Sequence, residues 1–573
     1  MTGKNSKNDA SSPSLSRRAF LERLGVSTAV AAATIHAPSA RADDNSRRES
    51  GPPRENLDRS STARAEERRN QAFQLRVRAA NEEHAIPVPD QVNNGDEVLY
   101  PNRIGNFSKA LPHNNIGEVD PAAYDSLLIA VTSGDPSDFA KIPLGGTVKL
   151  ANPQGGLAFN LQGTDSGQLT IPPAPALASA ERAGEMVEDY WMALTRDIPF
   201  SQYGNEPVTA AAITELNKLS DFTGPKDMVS GHVTPGTLFR GFTPGDMVGP
   251  YISQFLLQPV AFGAVSAALG ALNVEQKYQT RRAGTDYLTD PTSWLGCQNG
   301  QGAFGQNMFS GTSYLKNGRD LASYDHVDFP NQAVLSATLW LLQHNARFNP
   351  GNPYLTSITN QGGGITFGNN RIIALLYEVS VLAAKAAFYQ KWFVHRTLRP
   401  EAYGGLVHNT ITGIAHYPLH RDVLNSQAVS RVFSRYGRYL LPHADPEGCP
   451  AHPSYPEQHS VNAGASVTVL KWFFDESFVI PNPRVAADDG QSLVPYTGSD
   501  AGEITVGGEL NKLANNIALG RDFEAVHWRS DAVQGLVLGE AVAISVLRDQ
   551  QSNFNEPFNG FTFTKFDGST ITV

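Results

Sequence analysis

Residues 371–395 have the sequence RIIALLYEVSVLAAKAAFYQKWFVH. Apolar side chains recur every three or four positions in this stretch, and neither proline nor glycine interrupts it, which predicts one long helix. Further helical windows lie at residues 178–196, 208–218, 252–272, 331–345, 461–474, 509–519 and 532–547. The sequence therefore predicts a mainly α protein.

β-Structure is expected only in minor elements. Residues 127–172 are rich in Gly, Pro and Asp, which predicts loops with one minor hairpin. Near the C-terminus, Asp567-Gly568 separates two short β-branched runs, and this dipeptide favours a tight hairpin turn. Residues 43–82 are charged and poor in apolar residues, which predicts a linker or a surface helix.

Composition excludes several classes of protein. The chain has 573 residues, and 46 Lys+Arg against 56 Asp+Glu give a formal net charge of −10. This balance argues against binding to nucleic acid or anionic lipid, because both need basic surface. Cys297 and Cys449 have no second cysteine close by in the sequence, which excludes thiolate zinc sites and leaves one disulfide open. We also expect no membrane span after the N-terminal leader.

The N-terminus has the pattern of an export signal. SRRAFL at residues 16–21 precedes a weakly apolar run at 24–35, and Ala-Arg-Ala follows at 40–42. This pattern predicts a twin-arginine signal peptide over residues 1–42 and a periplasmic or extracellular protein, with a disordered basic leader as the alternative. We place a charged linker and N-terminal extension at 43–119 and one helical domain at 120–573, with the active site in 391–531.

The first motif lies at the end of the long apolar helix. Lys391 and His395 are four residues apart and share a helical face, and Arg399 precedes Pro400, which moves the backbone out of the α region. Cations thus gather at one helix terminus. The alternative is helix capping on a solvated surface.

The second motif is HPSYPEQHS at residues 452–460, directly before a helical window. The prolines keep the approach extended, and the helix is expected to begin close to His459. Free backbone N–H groups at such a helix start favour an anion. The alternative is a proline-rich turn with His452 and His459 on the surface.

The third motif is GRDFEAVHWRSD at residues 520–531, between two helical windows. Ser530 or Asp531 is a candidate N-cap for the last long helix, which places His527 in the loop before it. Asp531 is alternatively placed to orient an imidazole. The three motifs would bring Lys391, Arg399 and Arg521 to one pocket, and arginine binds oxyanions in a bidentate manner.

In order and spacing, the three motifs resemble those of the vanadium-dependent haloperoxidases, a superfamily shared with type 2 phosphatidic acid phosphatases. Seven residues separate Lys391 from Arg399, as in the marine-algal bromoperoxidase branch, and the third motif matches fully. The likeness covers residues 120–550 and includes segments 249–257, 294–300 and 534–540. It implies an all-α fold of two helical bundles, one vanadate per subunit and a homo-oligomer.

The second motif departs from the family. Glu457-Gln458 stands where the family has Ser-Gly, whose hydroxyl and backbone N–H bind an oxyanion oxygen. An ionised carboxylate at 4 Å from an anion is repelled by about 4 kcal/mol at an effective dielectric of 20. Glu457 is therefore expected to point away, to be protonated or to weaken cofactor binding.

The resemblance also implies a role for each residue of the motifs. His527 would bond to vanadium, His459 would act as acid/base on hydrogen peroxide, and Lys391 would polarise the peroxide. His452 would tune halide access. The expected vanadate-binding residues are Lys391, Arg399, Glu457, Gln458, Arg521 and His527, with His452, His395 and Asp531 next to them.

The implied reaction is the oxidation of a halide by hydrogen peroxide to a hypohalous acid, which halogenates an organic acceptor. Bromide or iodide is the expected halide. One alternative is a phosphatase in which His527 is the nucleophile and His459 protonates the leaving group. The other is a non-catalytic oxyanion-binding protein, because of Glu457-Gln458.

Overall fold

Helices form the framework of the computed structural model, which describes residues 61–261, 273–329 and 331–573. The helices of eight or more residues are α1 Ser61–His84, α2 Pro121–Ser133, α3 Ala180–Thr195, α4 Pro207–Leu216, α5 Pro291–Gln298, α6 Gly318–Val327, α7 Gln332–Gln343, α8 Asn369–Tyr389, α9 Pro400–Ile411, α10 Gln427–Tyr436, α11 Gln458–Phe473, α12 Val506–Glu524 and α13 Arg529–Gln551. A π-helical turn, Gln390–His395, continues α8. The prediction of a mainly α protein is confirmed.

Strands occur as antiparallel pairs in the described part of the chain. The pairs are β1 Val260–Ala261 with β2 Asn273–Val274, β3 Tyr278–Arg281 with β4 Phe309–Ser313, β5 Arg484–Ala486 with β6 Leu493–Pro495, and β7 Thr562–Thr564 with β8 Thr570–Thr572. The last pair is the hairpin predicted around Asp567-Gly568.

The chain divides into two compact units, residues 1–69 and 70–573. Only residues 61–69 of the first unit are described, so the predicted signal peptide at 1–42 lies outside the described residues. Helix α1 has no buried residue, as expected of a surface helix. The domain boundary that we set at residue 120 stays a prediction.

Helix α11 is the centre of one bundle, in which it packs against α8, α12 and α13. From Ser460 to Phe473 every residue of α11 except Asn462 is buried. A second group of helices, α4, α9 and α10, packs around α3. Most of the buried apolar side chains of both groups belong to one continuous core.

Two glycines allow α11 and α13 to approach closely. A Cβ at Gly464 would lie 2.5 Å from the Leu536 carbonyl oxygen, and one at Gly539 would collide with the Val461 carbonyl. Either substitution by alanine overpacks this contact, which costs about 1–3 kcal/mol. The close packing fixes the start of α11, with Glu457, against the start of α13, with Asp531.

Two of the local predictions are wrong. Residues 252–261 are not helical beyond the short 3₁₀ turn Gln254–Leu256, and 262–272 lie outside the described residues. Pro259 cannot continue a helix, and buried Gln254 instead bonds to the backbone of Arg484. Residues 127–172 contain no strand pair, because their backbone groups bond to distant loops, as Val148 N–H does to the Gly300 carbonyl.

Two helical segments are long and apolar enough to cross a membrane, Asn369–His395 and Arg529–Gln551. These segments meet a criterion of length and composition only, so the expectation of no membrane span stays a prediction. Within the structure 56% and 72% of their most apolar windows are buried, as expected of core helices. Both segments adjoin the residues of the three motifs.

Candidate active site

Lys391 is held in the π-helical turn that ends α8, a local geometry that often marks functional sites. Its neighbour Trp392 anchors the turn in a small apolar cluster, where Phe107 packs edge-on at 5.5 Å between ring centroids. Lys391 is fully buried, and its Nζ donates to the carbonyl oxygens of Pro453 (2.8 Å) and Ser454 (2.6 Å). One of its three N–H donors is thus left for another partner.

Arg399 is the N-cap of α9, held in extended backbone before Pro400 as predicted. Its guanidinium is buried, and its hydrogen bonds to the described residues all go to neutral acceptors. Nε donates to the His452 carbonyl (3.0 Å), Nη1 to the Val526 carbonyl (2.7 Å) and His527 Nε2 (2.8 Å), and Nη2 to His452 Nδ1 (2.9 Å). The alternative in which Lys391 and Arg399 cap a helix on a solvated surface is therefore wrong, because both side chains are buried.

His527 lies in the loop between α12 and α13, as predicted, and Asp531 orients it. Asp531 Oδ2 accepts from His527 Nδ1 at 2.7 Å and also from the Ser454 hydroxyl. Nε2 of the imidazole therefore faces Arg399. The predicted N-cap was wrong: α13 begins at Arg529 with Trp528 as N-cap, and Asp531 Oδ2, in the first turn, accepts from the Trp528 backbone N–H at 3.3 Å.

Burial lowers the pKa of His527 well below its usual value, and the charges of Arg399, Lys391 and Arg521 add to this. The imidazole is therefore neutral, which is the state that binds a metal. Burial also lowers the pKa of Lys391, and the charge of Arg399 reinforces the shift. An anion at this point would oppose that shift and keep Lys391 protonated.

Arg521 lies in the last turn of α12 and pairs with Glu524 at 2.6 Å. In contrast, Lys391 and Arg399 form no direct ion pair with a carboxylate among the residues that the structure describes. Two buried cations without a counter-ion, beside a neutral imidazole, are the chemical signature of an anion site. We call Lys391, Arg399, Arg521, His527 and Glu457 the oxyanion cluster.

Glu457 is the N-cap of α11, and its N–H donates to the Asp531 carbonyl at 3.1 Å. Its side chain is fully buried, and neither carboxyl oxygen has a hydrogen-bond partner in the described part of the chain. Burial raises the pKa of Glu457 well above its usual value, although Arg521, Lys391 and Arg399 oppose the shift. Of the three states expected for Glu457, the protonated one agrees with these surroundings.

His459 and Gln458 lie beside the cluster and contribute to neighbouring cavities. Both line a cavity of about 140 Å³ that also contains Asp328. His459 additionally lines a cavity of about 470 Å³ together with Arg521, His326 and Glu524. His459 is 34% exposed, as a group that exchanges protons with solvent should be.

Asp328 was missed by the sequence analysis. It follows α6, and its Oδ1 lies 3.6 Å from His459 Nε2. No motif signals this aspartate, because it comes from a loop more than a hundred residues before His459. A carboxylate at this distance is placed to influence the orientation of the imidazole.

His452 and His395, the other two histidines of the motifs, differ in whether they contact the oxyanion cluster. His452 is buried and bonds to Arg399, and burial with the charges of Lys391 and Arg399 lowers its pKa. The alternative in which His452 is a surface residue is therefore wrong. His395 packs edge-on against Tyr455, with 4.7 Å between ring centroids, and its nitrogens lack partners among the described residues. Burial lowers its pKa to about 3, so it adds no charge.

These residues fit the vanadate that the resemblance implies. Lys391 and Arg399 supply uncompensated positive charge, Arg521 adds a third cation, and His527 offers a neutral nitrogen whose tautomer Asp531 fixes. A neutral Glu457 is compatible with an anion beside it, whereas an ionised one would repel it.

Comparison with known proteins agrees with this chemistry. A family model described as the VCPO second helical-bundle domain matches residues 376–556. The chain is 34% identical to the vanadium-dependent bromoperoxidase of Corallina officinalis over 587 positions, which cover 88% of this chain and 98% of that protein. It is 35% identical to the vanadium-dependent bromoperoxidase of Ascophyllum nodosum, over 88% and 92% of the two chains.

Among solved structures, the homohexameric second vanadate-dependent bromoperoxidase from Ascophyllum nodosum has the same fold. It matches with a TM-score of 0.83 and 32% identity over 96% of this chain and 95% of that chain. The expected family resemblance and the helical fold are thereby confirmed.

Proposed function

We propose that this chain, which belongs to the family of vanadium-dependent bromoperoxidases, oxidises bromide or iodide with hydrogen peroxide to a hypohalous acid. The protein is a haloperoxidase with vanadate as its cofactor. The choice of halide and the organic acceptor belong to the proposal. Its main support is the pair of buried cations beside His527, Lys391 and Arg399, which form no direct ion pair with a carboxylate in the described part of the chain.

In the proposed site, His527 Nε2 would hold the metal centre, and Lys391, Arg399 and Arg521 would bind the oxyanion oxygens. When bound, vanadate supplies Lewis-acid activation of hydrogen peroxide without a change of oxidation state. Asp531 keeps the proton on His527 Nδ1, so Nε2 carries the lone pair, which accepts from Arg399 Nη1 in this structure and would turn to the metal when vanadate binds. The third N–H of Lys391 stabilises negative charge that develops on the departing peroxide oxygen.

His459 moves the protons. Each turnover consumes one halide, one peroxide and one proton and yields hypohalous acid and water, so the site needs a group that takes and returns protons. His459 takes a proton from peroxide as it binds and returns it to the departing oxygen, and Asp328 lies 3.6 Å from its Nε2. Contact with the cavity of about 470 Å³ gives His459 a route to solvent and halide.

A halogen-trapping assay tests the proposal. The vanadate-free protein is mixed with orthovanadate, hydrogen peroxide and, separately, iodide, bromide or chloride, and a phosphomonoester is tested without vanadate. We expect vanadate-dependent halogenation with bromide and iodide. Phosphate release without vanadate, combined with absent halogenation, would instead assign the site to a phosphatase, and no turnover in either assay would assign it to oxyanion binding alone.

Assembly and location complete the proposal. We propose a homo-oligomer, because the structural relative from Ascophyllum nodosum is described as homohexameric. We also propose export by the twin-arginine route, because residues 1–42 have the pattern of such a signal and hypohalous acid damages a cell interior. Size-exclusion chromatography with light scattering and fractionation of the expressing cell test these two points.

A further inference from the structure

Cys297 and Lys109 form a close pair outside the oxyanion cluster. Lys109 Nζ lies 3.0 Å from Cys297 Sγ, 3.0 Å from Glu401 Oε2 and 2.9 Å from the Glu447 carbonyl oxygen. Cys297 and Lys109 come from segments 188 residues apart, and both are buried. An amine in contact with a thiol is a reactive combination once the sulfur is oxidised.

The pair lies on the path of the proposed product. Lys109 and Cys297 line the same cavity of about 470 Å³ as Arg521 and His459. A hypohalous acid formed beside His459 therefore enters a space in which a thiol and an amine are already in contact. Cys449 lines this cavity as well, but within the described residues its Sγ has no hydrogen bond to Lys109; it contacts carbonyl oxygens, such as that of Val526 at 3.7 Å, and lies within 4.8 Å of ligand atoms of Glu401 and His443.

We propose that hypohalous acid in this cavity links Cys297 to Lys109 through a sulfur–nitrogen bond, a sulfenamide. The inference rests on the proposed function, because the oxidant is the product of that reaction. The link would turn a reactive thiol into a form that thiol reductants restore, before it reaches the irreversible sulfinic and sulfonic acids.

The chemistry proceeds in two balanced steps. In the first, sulfur attacks the halogen of the hypohalous acid, so that a sulfur–halogen bond forms, the halogen–oxygen bond breaks, and the thiol proton leaves with hydroxide as water. Sulfur is oxidised by two electrons, and the halogen is reduced. In the second, the Lys109 ammonium gives one proton to Glu401 Oε2 at 3.0 Å, the freed amine attacks sulfur, the sulfur–halogen bond breaks and halide departs, and the second nitrogen proton passes to solvent in the cavity.

The surroundings determine the order of these steps. Burial raises the pKa of the Cys297 thiol to about 12, and pairing with Glu401 raises that of Lys109. Both groups are therefore protonated at rest, and the pair does not react without oxidant. Once sulfur carries halogen, Lys109 is the nucleophile in contact with it, and Glu401 is the base in contact with Lys109.

Peptide mass mapping tests the link in wild-type protein, with a protease that does not cleave at lysine. One sample is vanadate-loaded protein turning over hydrogen peroxide and bromide, and the other is vanadate-free protein treated with added hypobromite. We expect in both a linked peptide lighter by two hydrogen atoms than the sum of the Lys109 and Cys297 peptides, which dithiothreitol separates. Lys109→Arg and Cys297→Ser should abolish it, and Cys449→Ser, the matched control, should retain it.

Three results would overturn the inference: a free Cys297 thiol after hypobromite treatment, only sulfinic or sulfonic Cys297, or a disulfide between Cys297 and Cys449. The link after added hypobromite without a link during turnover would support the reactivity of the pair and count against halide oxidation by the site. The wild-type map decides the inference even if Lys109→Arg fails to fold.

Discussion

Two buried arginines near His527 differ in how their charge is compensated. Arg529 makes a two-point contact with Glu188, with Nε at 2.7 Å and Nη2 at 2.5 Å from the carboxylate oxygens. Arg399 is equally buried but bonds only to carbonyls and imidazole nitrogens. Glu188 raises the pKa of Arg529 despite its burial, whereas burial lowers that of Arg399. The paired charge of Arg529 belongs to the framework of the fold, whereas the unpaired charge of Arg399 is available to bind an anion.

The largest effect is expected at His527. His527→Ala removes the nitrogen proposed to bond to vanadium, so haloperoxidase activity should fall below detection. Circular dichroism should show an unchanged helix content, because the imidazole is not part of a helix. Equilibrium dialysis with orthovanadate measures the loss of binding directly, and retained vanadate-dependent halogenation would remove His527 from the site.

The two arginines can be compared directly by substitution with methionine. Arg529→Met leaves Glu188 buried without its partner, which should lower the free energy of unfolding by about 3–5 kcal/mol. Arg399→Met leaves no buried charge unpaired, although it orphans buried carbonyl and imidazole acceptors, so its loss should be smaller than that of Arg529→Met, while vanadate binding is lost. Urea unfolding of the vanadate-free proteins measures both values, and equal losses would contradict the comparison.

An intermediate effect is expected at Asp531. This residue has a role in the site, where it orients His527, and a role in the fold, where it caps α13. Asp531→Asn keeps the size but loses the negative charge that holds the proton on Nδ1. By analogy with other groups that orient metal ligands, vanadate affinity should fall by about 10–100-fold. Ser530→Ala, one residue away, is the control, and an unchanged dissociation constant for Asp531→Asn would show that His527 needs no such support.

Much of the site could be predicted because its residues lie in short motifs. The spacing of Lys391 to Arg399-Pro400 and of Arg521, His527 and Asp531 is local, and the short separation already made Asp531 a candidate to orient an imidazole. The helices were predictable for a similar reason, since apolar periodicity is also local.

What could not be predicted depends on contacts between distant segments. Asp328 reaches His459 from a loop without a motif, and the pairing of Cys297 with Lys109 depends on how two loops meet. The failed helix at 252–261 has the same origin, since buried Gln254 bonds to Arg484, more than two hundred residues away. Apolar composition cannot reveal such a partner.

The smallest effect is expected from restoring the family residues, Glu457→Ser with Gln458→Gly. Burial raises the pKa of Glu457, so near neutral pH its neutral carboxyl repels an oxyanion little, and vanadate affinity in the double variant should stay equal or rise by about tenfold or less, about 1.4 kcal/mol. The gain should grow with pH, because the wild-type carboxyl loses its proton as pH rises through its raised pKa, whereas the variant has no such group.

Vanadate titrations of both proteins over a pH series measure this gain, with Glu540→Gln as a control that removes one carboxyl elsewhere. Weaker binding in the double variant at every pH would mean that Glu457 and Gln458 bind the oxyanion directly. In that case the protonated Glu457 carboxyl would donate a hydrogen bond to the bound oxyanion. It would not be a neutral side chain that merely lies beside the oxyanion.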